Sequence, residues 1–206
     1  MKTKLIIAAA ACVLGLASAS SAATIANGSF ESQSPSFTGT FLTLAAGSPD
    51  VTGWAIGGAG IDLINTYWTA EDGNYSLDMS ALGSGTISQT ITGLAIGAYY
   101  EISFWLAGNP DGSLTKSLTA STDEGSSTYS FVQTGNTKAS MGWEQHSFTF
   151  QAAATTTNLT FASLSGDPYG PALDNISITT VPLPAGAPLL LAGVAGFAAL
   201  RRRKSV

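Results

Sequence analysis

Short runs of alternating apolar and polar residues fill the middle of the chain. In the clearest run, residues 99–106, one face carries Tyr100, Ile102, Phe104 and Leu106. A period of two places successive side chains on opposite faces of a β-strand. Shorter runs of the same kind contain Leu77, Ile87, Phe148, Phe161 and Ile176. Because glycine-rich turns separate these runs and no run keeps helical spacing, the pattern predicts an all-β, antiparallel sandwich of jelly-roll type.

The first 23 residues have the pattern of a secretory signal peptide. Lys2 and Lys4 precede an apolar stretch over residues 5–16, and small residues up to Ala22 offer a cleavage site. This pattern predicts export. Cys12 is the only cysteine of the chain and lies inside this segment, so we expect no disulfide in the mature domain. A lipoprotein anchored at Cys12 is the alternative.

Residues 181–206 have the composition of a sorting tail. Val181, Pro182, Leu183, Pro184 and Ala185 form a proline-marked motif, which an apolar stretch over residues 187–200 and a basic end over residues 201–204 follow. About 20 apolar residues can cross a membrane as a helix, and a cationic end resists translocation. The tail therefore predicts a transmembrane helix with the preceding domain outside the cytoplasm. A glycosylphosphatidylinositol signal is the alternative, but such a signal is not expected to end in basic residues.

The order of motif, apolar run and basic end resembles the PEP-CTERM sorting signals of exopolysaccharide-producing Gram-negative bacteria, in the variant that reads VPLPA. The resemblance implies that an exosortase-type protease of the inner membrane recognises and removes the tail. The protein is then expected to be anchored in the membrane transiently, and to end at the cell surface or outside the cell.

The segment between the two ends, residues 24–180, is expected to be one acidic domain. Six of the eight Lys and Arg residues lie in the terminal segments, so Lys116 and Lys138 remain against 13 acidic residues, a formal charge of −11. This charge opposes binding to nucleic acid and to anionic polymers. Neutral ligands or cations are the expected partners, unless the charge serves only solubility.

Several short motifs recur in a characteristic order along this domain. They are residues 27–31 (NGSFE), 53–54 (GW), 72–78 (DGNYSLD), 142–143 (GW) and 172–178 (ALDNISI). In this order the chain resembles galactose-binding-like sandwiches, in particular the choice-of-anchor C family of bacterial surface proteins. The resemblance implies a galactose-binding-like jelly roll, for which carbohydrate binding is the expectation, although a fold alone does not prove a function.

A calcium site is expected where the two ends of the domain meet. If the first and last strands lie side by side, Asn27, Glu31 and Asp174 converge, and their oxygens suit Ca²⁺. The resemblance to carbohydrate-binding modules implies a structural calcium at Glu31 and Asp174. The alternative is that both carboxylates cap strand ends in solvent. A second acidic group, Asp62, Asp72 and Asp78, lacks the spacing of a calcium-binding loop, and its Asp72-Gly73 segment favours an Asp-Gly turn.

Flat aromatic side chains are the candidates for sugar recognition, because they stack on the C–H faces of sugar rings. The candidate ligand-binding residues are Trp54, Trp105 and Tyr169. Trp105 lies opposite the apolar face of its strand, Trp54 follows a glycine near a loop, and Tyr169 lies in a loop between two prolines. Packing in the core, beneath a covering loop or within a tight connection is the alternative for each.

Catalytic chemistry has little support in the sequence. His146, the only histidine, has no evident nucleophile or orienting acid near it in the chain. We therefore expect no enzyme, but a carbohydrate-binding-like surface protein associated with exopolysaccharide or biofilm. A purely structural matrix protein without specific glycan binding is the alternative, followed by a polysaccharide hydrolase that uses carboxylates such as Glu101 or Glu144.

Overall fold

The computed structural model describes residues 22–34 and 36–182, which form eleven β-strands in two sheets. In chain order the strands are β1 (Phe41–Leu44), β2 (Ala55–Gly58), β3 (Ile61–Ile64), β4 (Ser76–Asp78), β5 (Gly85–Thr92), β6 (Tyr99–Gly108), β7 (Thr115–Thr122), β8 (Gly125–Val132), β9 (Glu144–Gln151), β10 (Thr156–Ser163) and β11 (Pro171–Val181). Across these residues no helix has the length and apolar character needed to span a membrane.

The six-stranded sheet has the order β1-β3-β4-β11-β6-β9, and the five-stranded sheet has the order β2-β5-β10-β7-β8. All strand pairs are antiparallel. The predicted all-β, antiparallel jelly-roll sandwich is confirmed. The predicted signal peptide and most of the sorting tail lie outside the described residues. Of the sorting motif, Val181 pairs with Tyr99 as the last residue of β11 and Pro182 follows it.

The core lies between the two sheets. Tyr100, Ile102, Phe104 and Leu106 of β6 are at most 3% exposed, as their alternation predicts. Phe104 meets Phe161 of the opposite sheet edge-on, with ring centroids 5.0 Å apart. Burying one such side chain contributes about 1.5–3 kcal/mol, so this period-two apolar face is what holds the sheets together.

The outward side of the five-stranded sheet, which we call the bare face, carries small hydroxyl side chains. Its outward positions on β5, β7, β8 and β10 are Thr86, Ser88, Thr90, Thr92, Thr115, Ser117, Thr119, Ser121, Ser126, Thr128, Ser130, Val132, Thr156, Asn158, Thr160 and Ala162. All of them are exposed or half-buried and none is charged. Thr and Ser suit a solvated pleated surface, and neighbouring hydroxyls bond across the strands, as Ser117 and Ser130 do at 2.7 Å.

Part of the outward side of the six-stranded sheet lies beneath loops, over β3, β4 and the adjoining ends of β11 and β6, and we call this part the covered face. The outward positions of β9, such as Ser147 and Thr149, are exposed. The loop of residues 65–75 places Trp68 over β4, where the indole N–H donates to Ser76 Oγ at 2.8 Å. Trp68 is 3% exposed and Ser76 is fully buried. The loops of residues 109–114 and 164–170 frame the same face, so polar side chains of its strands are buried.

Candidate functional site

The motif of residues 27–31 forms a turn that closes the N-terminal end of the domain. Asn27 and Phe30 have φ angles of 52° and 60°, a conformation that asparagine tolerates well. The Asn27 amide Nδ2 donates to Ser32 O at 2.8 Å and to Thr52 O at 3.0 Å, and its Oδ1 accepts from Ser32 N at 2.9 Å. These bonds fix the turn and bury Phe30 in the core.

This turn meets the last strand, so the two ends of the domain lie together. Ile176 N donates to Gly28 O at 2.9 Å. A Cβ at Gly28 would overlap the Ile176 carbonyl, so this approach requires glycine. A bulge in β11 follows Asp174, where Asn175 has a φ of 47°. The sequence predicts this meeting, but a turn makes it rather than a first strand.

Glu31 and Asp174 both hold the loop of residues 65–75. Glu31 Oε1 accepts the N–H groups of Asn74 at 2.7 Å and Tyr75 at 2.8 Å. Asp174 Oδ2 accepts those of Glu71 at 2.9 Å and Asp72 at 3.1 Å. The two carboxylates therefore bind adjacent parts of one loop.

The donors around these carboxylates bear on the expected calcium site. Backbone N–H groups point at Glu31 and Asp174, Asn175 N donates to Asp174 Oδ1 at 2.7 Å, and the Asn27 amide is used within its own turn. Within residues 22–34 and 36–182 no three His, Cys, Asp or Glu side chains are grouped closely enough to hold a metal ion. Because Ca²⁺ takes six to eight oxygens, these residues do not by themselves fit a calcium cage. Calcium stays a prediction.

Two of the three candidate aromatic residues, Trp54 and Trp105, do not line either of the two cavities described below. Trp54 is 4% exposed, packs against Phe30 and Phe161, and its indole N–H donates to Asn27 O at 3.0 Å. In this position Trp54 is a core residue and presents no ring face to a ligand, which corrects its assignment to a binding surface. Trp105 is half-buried on the covered face, opposite Asp174 in register, where its role in binding stays a prediction.

Tyr169, the third candidate, lines a pocket of about 200 Å³ on the covered face. The pocket lies between the sheet and the two framing loops. Its lining residues are Phe41, Thr43, Asp62, Ile64, Tyr67, Asp78, Ala81, Asn109, Pro168 and Tyr169. Phe41 and Tyr169 are 44% and 40% exposed, so flat rings stand at its rim.

Two carboxylates form part of the pocket wall. Asp62 of β3 and Asp78 of β4 stand directly opposite each other in the antiparallel register. Burial raises the pKa of Asp62, although Thr43 Oγ1 donates to it at 2.6 Å. Burial likewise raises the pKa of Asp78 to about 7, against the effect of its hydrogen-bond donors. The wall therefore carries one half-buried and one buried carboxylate, and burial makes the charged form of each costly.

Asp78 also fixes the loops beside the pocket. Its carboxylate accepts hydrogen bonds from Asn109 Nδ2 at 2.7 Å, Gly170 N at 2.8 Å and Ser80 N at 3.0 Å. Asn109 and Gly170 belong to different loops, so one buried side chain sets the position of both.

Lys116 joins the same two loops from the core side. It is fully buried on β7, and its Nζ donates to Tyr169 O at 2.5 Å, to Asp111 O at 2.9 Å and to Ser113 Oγ at 3.4 Å. Burial lowers the pKa of Lys116. Beneath the Tyr169 ring, Gly112 has a φ of 77° and leaves no room for a side chain. The Tyr169 ring is therefore held in place by its surroundings.

Tyr67 lies between the pocket and a second groove and borders both. Its hydroxyl donates to Asp111 Oδ2 at 2.7 Å, and Lys138 Nζ lies 3.8 Å from its ring centroid. The groove has a volume of about 480 Å³ and runs along residues 65–70, 73–74 and 138–139. Tyr67 lines both cavities.

Sequence reasoning placed Asp62 and Asp78 in one acidic group but did not predict that they face each other across neighbouring strands. The available signal was an aspartate between two apolar residues in each strand, Ile61-Asp62-Leu63 and Leu77-Asp78-Met79. Period two places both aspartates on the outward face, but only the register brings them opposite each other. The favoured Asp-Gly turn at Asp72 is confirmed by Gly73, which has a φ of 64°.

His146 packs against aromatic side chains of the sandwich. It is half-buried on β9, with ring centroids 5.1 Å from Tyr129 and 5.9 Å from Phe104. Its Nε2 lies 3.7 Å from Glu144 Oε2. The imidazole therefore packs at the edge of the core, away from the pocket.

Comparison with known proteins gives matches in sequence and in fold. Halomucin of Haloquadratum walsbyi is 31% identical over an alignment of 182 residues that covers 85% of this chain, and the chain spans only 2% of the length of halomucin. Among solved structures, TmCBM61 in complex with beta-1,4-galactotriose has a TM-score of 0.45 at 17% identity, with 63% of this chain and 90% of that chain covered. A family 35 carbohydrate binding module from Clostridium thermocellum has a TM-score of 0.44 at 15% identity, with 69% and 100% covered.

The family match extends over nearly all of the sandwich. It begins at residue 23, before the N-terminal turn, and ends at residue 179 in β11. The chain therefore belongs to the family described as "Protein of unknown function (DUF642)".

Proposed function

We propose that the protein is an exported, non-catalytic surface or matrix protein that binds a sugar residue in the pocket of the covered face. The observation that carries this proposal is the combination of exposed rings, Phe41 and Tyr169, with a half-buried acceptor, Asp62, and a buried one, Asp78, around one cavity. Sugar rings present C–H faces that stack on aromatic rings and hydroxyls that donate to fixed acceptors.

The size of the cavity limits what it holds. At about 200 Å³ it is smaller than the roughly 300–1,000 Å³ of pockets for drug-sized ligands. One sugar residue therefore suits the pocket, and the adjoining groove along Tyr67 offers space for neighbouring residues of a chain. This arrangement favours recognition of a polymer by one inserted residue.

Delivery to the cell surface rests on the two terminal segments. The proposal keeps the signal peptide over residues 1–23 and the PEP-CTERM tail over residues 181–206, with an exosortase-type protease and the inner membrane as partners during sorting. The choice-of-anchor C resemblance and a setting in the exopolysaccharide or biofilm of a Gram-negative bacterium belong to the same proposal. Intact-mass analysis of the protein recovered from cells tests it, because loss of both ends is expected.

Glycan binding is tested with two tyrosines of equal exposure. Tyr169 and Tyr99 are both 40% exposed, but only Tyr169 lines the pocket. Tyr169→Ala should weaken binding to any glycan that an array identifies by roughly tenfold or more, since removal of a stacked ring costs about 1–3 kcal/mol. Tyr99→Ala should leave binding unchanged.

Trp105→Ala is a third arm of the same titration. If Trp105→Ala abolishes binding and Tyr169→Ala does not, the site lies around β6 instead of in the pocket. If no glycan binds, the purely structural matrix role replaces the proposal. Release of reducing sugar from a bound polysaccharide would contradict the non-catalytic part.

The calcium proposal has a thermal test. If calcium binds at Asn27, Glu31 and Asp174, it raises the melting temperature of the protein, and Glu31→Ala abolishes this rise. Glu31 also accepts the N–H groups of Asn74 and Tyr75. In chelator, Glu31→Ala should therefore lower the free energy of unfolding by about 1–3 kcal/mol, and the melting temperature with it. A melting curve of the unmodified protein that is identical in calcium and in chelator would remove calcium from the account.

A further inference from the structure

The pocket wall is negative, and the cations near it are already used. Asp62 and Asp78 line the pocket. Lys116 and Lys138 are the only Lys or Arg residues between residues 22 and 182. Whether the pocket can hold an anion therefore depends on where these two ammonium groups are bound.

The Lys116 ammonium has no donor left for a ligand. An ammonium carries three N–H groups, and those of Lys116 have three acceptors, Tyr169 O, Asp111 O and Ser113 Oγ. The side chain is fully buried. Lys116 would have to release both framing loops to meet an anion in the pocket.

Lys138 is directed to the neighbouring groove. Its Nζ lies 2.9 Å from Asp111 Oδ2 and 3.8 Å from the centroid of the Tyr67 ring. Lys138 lines the groove and is not among the residues that line the pocket. Its charge is thus paired with Asp111 on the other side of Tyr67.

The polar groups of the wall mainly accept hydrogen bonds. The Asp62 Oδ1 atom accepts a hydrogen bond from Thr43 Oγ1. Its second oxygen has no donor among the described residues and is available to a ligand. The Tyr67 hydroxyl donates to Asp111, and the Asn109 amide donates to Asp78. A ligand that fits must therefore donate hydrogen bonds and bring no negative charge.

We propose that the pocket selects uncharged sugar residues, which donate a hydroxyl to Asp62, and rejects uronic acids. This inference rests on the proposed glycan binding and names its substrate class. Above the pKa of Asp78, which is about 7, a uronate carboxylate in the pocket would face two charged groups, Asp62 and Asp78, without a cation between them. Like charges a few ångströms apart in a partly buried site should weaken binding about tenfold or more.

The test compares sugars that differ only in charge at C6. Galacto-oligosaccharides are titrated against galacturono-oligosaccharides of the same linkage, and gluco- against glucurono-oligosaccharides. We expect the neutral member of a pair to bind about tenfold tighter or better. Asp62→Asn should narrow that gap, because it removes one of the two wall charges. Glu144→Gln, which removes a charge on β9 outside the pocket, should not.

A salt titration of the unmodified protein gives a second readout that does not depend on a variant. In about 1 M NaCl the Debye length falls to about 3 Å, so uronate binding should improve relative to neutral binding. Uronates that bind as tightly as their neutral partners, at low salt, overturn the inference and leave glycan binding intact. Absence of binding for both members of every pair overturns the proposed function, and the inference with it.

Discussion

The two outward faces of the sandwich differ in what they bury. The bare face exposes mainly Ser and Thr side chains, of which pairs such as Ser117 and Ser130 bond to each other. The covered face buries Ser76, Asp78 and Asp174 beneath loops. Because burying a polar group is costly unless it is hydrogen-bonded, each of these side chains has specific partners. The difference shows which side of the fold is built around fixed geometry.

Fixed geometry is what a binding site needs. On the covered face, Asp78 and Lys116 each hold two loops, and those loops present Tyr169 beside the carboxylates. Among the described residues, the outward positions of β7 and β8 contain no buried charged side chain that holds two loops, and their hydroxyl pairs are solvated. For this reason we propose the covered face as the binding side of the domain.

The two lysines of the domain give the largest expected effect. Lys116→Met keeps the length of the side chain but leaves the Asp111 and Tyr169 carbonyls without their buried donor. We expect a loss of about 2–4 kcal/mol in the free energy of unfolding, together with weaker glycan binding. Lys138→Met removes an exposed pair with Asp111 and should cost about 0–1 kcal/mol. Denaturant titration of both variants checks this, and equal losses would contradict the role of Lys116.

Deleting one hydroxyl on each face gives a smaller contrast. Ser76→Ala leaves the buried Trp68 N–H without an acceptor, which should cost about 1–3 kcal/mol. Thr128→Ala on the bare face removes a hydroxyl that bonds Thr119 at 3.2 Å in solvent, and its effect should stay within about 0.5 kcal/mol. Thermal melts of the two variants measure the difference. Equal losses of stability in Ser76→Ala and Thr128→Ala would contradict the difference between the two faces.

The pH dependence of stability tests the burial of Asp78 on the covered face. Burial raises the pKa of Asp78 from 3.8 to about 7, so the folded state binds this proton more tightly than the unfolded state. The contribution of Asp78 to stability is therefore highest below about pH 4 and falls as pH rises through about 7, by at most about 1.4 kcal/mol per pH unit.

Asp78→Asn should remove the part of the pH dependence of the free energy of unfolding that Asp78 contributes. Stability of the unmodified protein and of the variant is compared by denaturant titration between about pH 4 and pH 8, because the difference cancels the other titrating groups. Parallel pH profiles would show that Asp78 keeps an ordinary pKa in the folded protein.

Strands with strong apolar alternation could be predicted, while the hairpin of β7 and β8 could not. Tyr100, Ile102, Phe104 and Leu106 give a clear period of two in β6. In β7 the inward positions include Lys116 beside Leu118 and Ala120, which are fully buried all the same. A buried lysine among Ser and Thr residues hides the strand, because its partners come from loops distant in sequence.

The candidate site shows the same limit. Tyr169 could be predicted because two prolines fix its loop, whereas Asp62 and Asp78 become neighbours only through the β3–β4 register. Trp54 follows a glycine as a loop residue would, yet the turn at Asn27 supplies an acceptor for its indole N–H and draws it into the core. Local sequence thus predicts faces and turns, and tertiary pairing decides which side chains share a pocket.

Amide chemical-shift mapping tests the central claim most directly. The isotope-labelled protein is titrated with the neutral oligosaccharide that binds most tightly. We expect amide chemical-shift changes in β3, in β4 and in the loops of residues 65–75, 109–114 and 164–170. The outward positions of β7 and β8 should show none. Shifts concentrated on the bare face, with the Tyr169 loop unchanged, would contradict it.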